Sequence, residues 1–202
     1  MHESKDYIKD ITEIRSMMER SSKFMSLSGL SGVIAGICAL IGAFVAYSVF
    51  GFSPDGLISD YVPNLEKVIF LAMIVLVIAI GTAAILSNRK AVRRKEKIWD
   101  SVARRLLINM LVPLGAGGIM ILILIAKGLI GFIVPFTLLF YGMALYNASK
   151  FTYVELRSLG LVEIGLGLLA AYFIEYGLLI WALGFGVLHI IYGIYMHYKY
   201  ER

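Results

Sequence analysis

Charged residues in this chain fall in clusters, and the apolar windows between the clusters decide what it can fold into. No Asp, Glu, Lys or Arg occurs between Lys23 and Asp55, Lys67 and Arg89, Arg105 and Lys127, or Lys127 and Lys150. Two further windows are nearly as clean: Arg157 to Glu175 is broken only by Glu163, and Glu175 to Lys199 only by His189 and His197. A helix that crosses hydrocarbon needs ~20 mostly apolar residues, because no water is present there to satisfy exposed backbone amides. The windows therefore predict an all-α polytopic membrane bundle of six transmembrane helices, at about 26–50, 68–88, 106–126, 128–149, 158–174 and 177–198.

Composition agrees. With 59% of residues hydrophobic, 16% charged and a mean hydropathy of +0.82, the chain has more apolar surface than a soluble fold could bury.

The basic residues orient the bundle, since Lys and Arg near helix ends are retained on the cytoplasmic side. With the N-terminus inside, 17 of the 19 Lys and Arg residues lie in cytoplasmic segments, and only Lys67 and Lys127 lie outside. The longest outer loop instead carries Asp55, Asp60 and Glu66. The expectation is a multi-pass protein of the plasma (inner) membrane with both termini cytoplasmic. The net charge of +5 follows from this asymmetry, and no zinc-finger, helix-turn-helix or RNA-binding signature accompanies it, so nucleic acid is not an expected partner.

Two cytoplasmic segments have their own character. Residues 1–25 place Tyr7, Ile8, Ile11, Ile14 and Met18 at helical spacing with charges between them, which predicts an amphipathic helix lying on headgroups or docking a cytoplasmic protein. From Asn88 to Arg105 the chain is intensely basic and reads as a helical extension of the second span. Arg89, Lys90, Arg93, Arg94, Lys95, Lys97, Arg104 and Arg105 are its candidate contacts to anionic lipid, or to an acidic partner, with Trp99 at the interface.

Residues 26–202 form the transmembrane domain. Its short connections predict three antiparallel helical hairpins. A weak repeat supports this: Gly115-Ala116-Gly117 matches Gly165-Leu166-Gly167, and Tyr141-Gly142 matches Tyr192-Gly193, at offsets of 50 and 51. This Gly-rich entry and apolar-Gly exit, followed by a basic end, resembles the bacterial acid-resistance six-helix membrane protein family over Leu106 to Lys199. The resemblance implies architecture only. The amphipathic N-terminus and the first outer loop depart from it, and it brings no catalytic motif.

In lipid, helices associate through small residues that let backbones approach. Gly32 and Gly36 form one such stripe, expected either inside the bundle or at a homo-oligomer seam. Gly160, Gly167, Gly186 and Gly193 form others, expected between the last two spans. The tyrosines, Tyr141 and Tyr153 among them, read as interface anchors, and Pro113 and Pro135 as kinks inside helices three and four.

Catalytic signatures are missing: there is no HExxH, GxSxG, Walker or dinucleotide pattern, and the single Cys38 provides no thiol pair. No catalytic residue, metal site or cofactor is expected, and enzyme is the minority class. The membrane-embedded ionisable residues reduce to Glu163 and His189. Both stand 13 positions from Tyr176, so an antiparallel hairpin brings them to one depth, where a shared proton could respond to pH. An intramembrane carboxylate is retained where something offsets its cost. The leading expectation is a small, proton-linked transporter or channel-like protein; the alternative is a non-transporting scaffold or sensor coupled to a cytoplasmic partner.

Overall fold

The computed structural model describes residues 23–52, 64–94 and 99–201, and among these every regular element is helical. The N-terminal amphipathic segment, most of the first outer loop, and Lys95 and Lys97 lie outside the described residues. The helices are α1 (Gly29–Ser48), α2 (Leu65–Arg93), α3 (Ser101–Ala126), α4 (Ile133–Ala148), α5 (Glu155–Tyr172), and a last rod. That rod runs from a 3-10 turn, Ile174–Tyr176, through α6 (Gly177–Trp181) and a π-helical turn, Ala182–Leu188, into α7 (His189–Tyr200).

Five of these stretches are long and apolar enough to cross a membrane: Gly29–Ser48, Leu65–Arg93, Ser101–Ala126, Ile130–Ala148 and Ile174–Tyr200. The remaining helix, α5, has 18 residues and carries Glu155, Arg157 and Glu163. Its charge, not its length, separates it from the others.

The helices differ from the sequence expectation at their ends. The basic stretch is not one extension of the second span: α2 stops at Arg93, and Ser101 to Arg105 already belong to α3. Asp100 starts that helix by accepting a 2.7 Å hydrogen bond from the Ala103 amide, an N-cap that satisfies one of the free first-turn donors. Pro135 is the third residue of α4, in its first turn, where a missing N–H costs nothing; of the two prolines only Pro113 is interior. The turn after α3 holds Gly128 at φ +71°, a left-handed conformation open to glycine, and this lets the chain reverse over three residues before a 3-10 turn, Ile130–Phe132, leads into α4.

Packing follows the glycines. α4 and α5 make the most extensive helix contact, and a Cβ added at Gly142 would meet the Gly160 carbonyl oxygen at 2.6 Å, while one at Gly160 would meet that of Gly142 at 2.7 Å. α1 lies antiparallel on α7 and the π-helical turn: Gly29 and Gly193 abut, Gly32 sits against the His189 carbonyl, and Gly36 sits against that of Gly186. α2 packs on α1 and α3 on α4, so the two most exposed helices flank the better-packed ones.

Candidate functional site

Glu163 is the first feature that demands explanation. It lies in the middle of α5 with no solvent exposure, and neither carboxylate oxygen has a hydrogen-bond partner among the described residues. An unpaired polar group in a packed interior costs about 1–3 kcal/mol, and a bare charge more. The sequence offers no fixed counter-charge, for no Lys or Arg occurs in α1, in α4, or anywhere from Ser158 to Tyr198.

The last rod brings His189 to this carboxyl, with Nδ1 3.5 Å from Glu163 Oε1. That distance is too long for a good hydrogen bond. The ring has nearer partners: Nδ1 lies 2.9 Å from the Gly184 carbonyl oxygen, and Nε2 lies 2.8 Å from the Tyr141 hydroxyl of α4. Around them Tyr141, Phe185 and Trp181 stack in series, with ring centroids 4.9 and 5.0 Å apart.

The backbone makes room for the carboxyl. A Cβ at Gly184 would stand 2.6 Å from Glu163 Oε2 and 2.7 Å from Leu138 Cδ2, so the group rests against a bare peptide inside the π-helical turn. Turns of this kind are rare, and they recur at functional sites.

Glu163 and His189 therefore meet, but not by the route the small-residue faces suggested. Gly160 and Gly167 contact α4, where Gly167 faces the Pro135 carbonyl and Leu139, while Gly186 and Gly193 contact α1. Each of the two faces has a different partner, α4 for the one and α1 for the other. The stripe through Gly32 and Gly36 is likewise occupied within the chain.

Tyr141 and Gly184 were missed as site residues. Tyr141 is no interface anchor: it sits mid-way along α4 with its hydroxyl on His189. A hydroxyl inside an apolar span needs a partner, and that was the available signal. Gly184 had none, because a π-helical turn leaves no mark in the sequence.

The basic end holds a second polar cluster. Lys90 does not face outward: its ammonium is 3.0 Å from Glu201 Oε1, 2.7 Å from the Leu27 carbonyl and 3.1 Å from the Tyr153 hydroxyl. Glu201 also takes the Gly29 amide at 2.8 Å and the His197 ring at 2.6 Å. Burial works against its charge, but His197, the Gly29 amide and Lys90 outweigh that and hold the carboxyl down at about 2. Tyr153, buried rather than interfacial, bonds the Met25 carbonyl, and Arg94 donates to the Met25 and Tyr200 carbonyls. Arg89, Arg93, Arg104, Arg105 and Trp99 are exposed.

Comparison with protein-family models, with curated proteins and with solved structures returned no match.

Proposed function

We propose that this chain is a six-span membrane protein whose Glu163–His189 centre takes up and releases a proton, serving proton-linked passage of a small solute or ion. Its spans run as three antiparallel hairpins with the N-terminal amphipathic segment, both termini and the basic end in the cytoplasm, where Arg89, Arg93, Arg104 and Arg105 meet anionic headgroups. One observation carries the reading: a fully buried carboxyl with both oxygens unpartnered lies beside a histidine and a π-helical turn. An ionisable group retained inside a membrane bundle marks a pathway or relay by default.

The test is proton flux in liposomes enclosing a pH-sensitive dye, driven by a potassium diffusion potential. Wild-type protein should acidify the lumen above the rate of empty liposomes, and Glu163→Gln should return the rate to that background. Equal rates in wild type and variant would remove Glu163 from the pathway.

A second reading, the non-transporting scaffold or sensor, is favoured by the tight seating of the Glu163 carboxyl against Gly184. It expects wild-type liposomes to behave as empty ones do.

A further inference from the structure

We propose that the exchangeable proton of this centre resides on Glu163, and that His189, held by Tyr141 and the Gly184 carbonyl, stays neutral as a positioning residue. The assignment rests on reading the pair as a proton site, and it fixes which partner carries the proton.

The tautomer follows from the partners. A carbonyl oxygen can only accept, so Nδ1, 2.9 Å from Gly184 O, must carry a hydrogen. A neutral ring then leaves a lone pair on Nε2, and the Tyr141 hydroxyl stands 2.8 Å away to donate to it. Both ring nitrogens are thus satisfied without a second proton. Glu163 is the opposite case, since neither oxygen has a donor among the described residues and the His189 Nδ1–H, 3.5 Å away, is already given to Gly184. An imidazolium–carboxylate pair would leave the carboxylate short of donors in a medium where that is most costly.

Among the described residues, Tyr141 is the ionisable group that α4 brings to the centre and His189 the one that the last rod brings; α1, which packs on the π-helical turn, carries no Asp, Glu, Lys, Arg or His, its ionisable side chains being Cys38 and the exposed Tyr47. Tyr192 bonds Ser158, further along. The core is therefore neutral when loaded and carries one negative charge when unloaded. Loading forms one O–H bond from a carboxyl lone pair and a proton delivered by water. Unloading breaks that bond, leaves the pair on the carboxylate and returns the proton to water. His189 keeps its single N–H throughout.

The experiment is infrared and 15N magnetic-resonance spectroscopy of the full chain in lipid at neutral pH. The expected result is a carboxylic-acid C=O band that Glu163→Gln removes, with His189 showing the neutral, Nδ1-protonated pattern. Glu163→Asp, which keeps the acid, should shift the band instead of removing it and serves if the glutamine variant does not fold. Tyr141→Phe keeps the aromatic stack and should move the His189 Nε2 resonance and the pH midpoint of the Glu163 band. Imidazolium signals at His189 without the Glu163 band, or Tyr141→Phe signals identical to wild type, would overturn the assignment. A band without any liposome flux would uphold it while ending the transport reading.

Discussion

At the residue scale, the two ends of the electrostatic range sit in one chain. Among the described residues, Glu201 is surrounded by donors and Glu163 by none. The consequence for Glu201 has a sign. Its carboxyl titrates at about 2 in the folded chain against an ordinary 4.5, so its contribution is fully present above the ordinary value and is lost as pH falls through the folded one. Glu201→Gln should lower stability by about 2 kcal/mol at neutral pH, the scale of a charge-assisted hydrogen bond. Thermal unfolding in detergent should show the gap to wild type closing between pH 4.5 and about 2. A gap that stays constant through that range would mean the Lys90–Glu201–His197 cluster contributes no titrating stability. Much of this scale was legible: Glu163 and His189 stood out as the ionisable residues within apolar windows, and equal spacing from Tyr176 set them at one depth. Lys90 was not legible, because the same charge that anchors a helix to headgroups can turn inward to a carboxylate that is distant in sequence.

At the element scale, glycine decides which helices touch, and glycines that look alike in sequence do different things. Gly117 and Gly167 occupy matching places in the weak repeat and both contact α4, whereas Gly115 and Gly165, two residues earlier in each, have nothing among the described residues within 4 Å of an added Cβ. A methyl at Gly142 or Gly160 would strike backbone, which cannot rotate away. Gly142→Ala and Gly160→Ala should each cost about 1–3 kcal/mol as overpacked contacts. Gly165→Ala should instead be neutral or stabilise by up to about 1 kcal/mol through helix propensity. Melting temperatures of the three variants in one detergent check this, and equal losses in all three would contradict the packing. The sequence identified the small residues as contact surfaces but not their partners. Any of several apolar helices can accept a Gly stripe, and only the assembled bundle selects α4 for Gly160 and Gly167 and α1 for Gly186 and Gly193. The π-helical turn belongs here too, since it is a choice of hydrogen-bond register that Ala182 to Leu188 do not advertise.

At the scale of the whole molecule, five helical stretches are long and apolar enough to cross a bilayer. The 29 residues of α2 span ~44 Å against a hydrocarbon core of ~30 Å, a length that leaves room for its last turns, with Arg89, Lys90 and Arg93, beyond an apolar layer. The long exposed apolar faces of α2 and α3 need lipid around them, and the low dielectric of that lipid is what makes an unpartnered Glu163 consequential. Membrane topology is therefore the claim on which the rest stands. Single cysteines in a Cys38→Ser background test it with an impermeant thiol reagent on intact cells. Asp60→Cys should be labelled from outside, and Arg93→Cys only after the membrane is opened; labelling of Arg93→Cys in intact cells with Asp60→Cys protected would contradict the account.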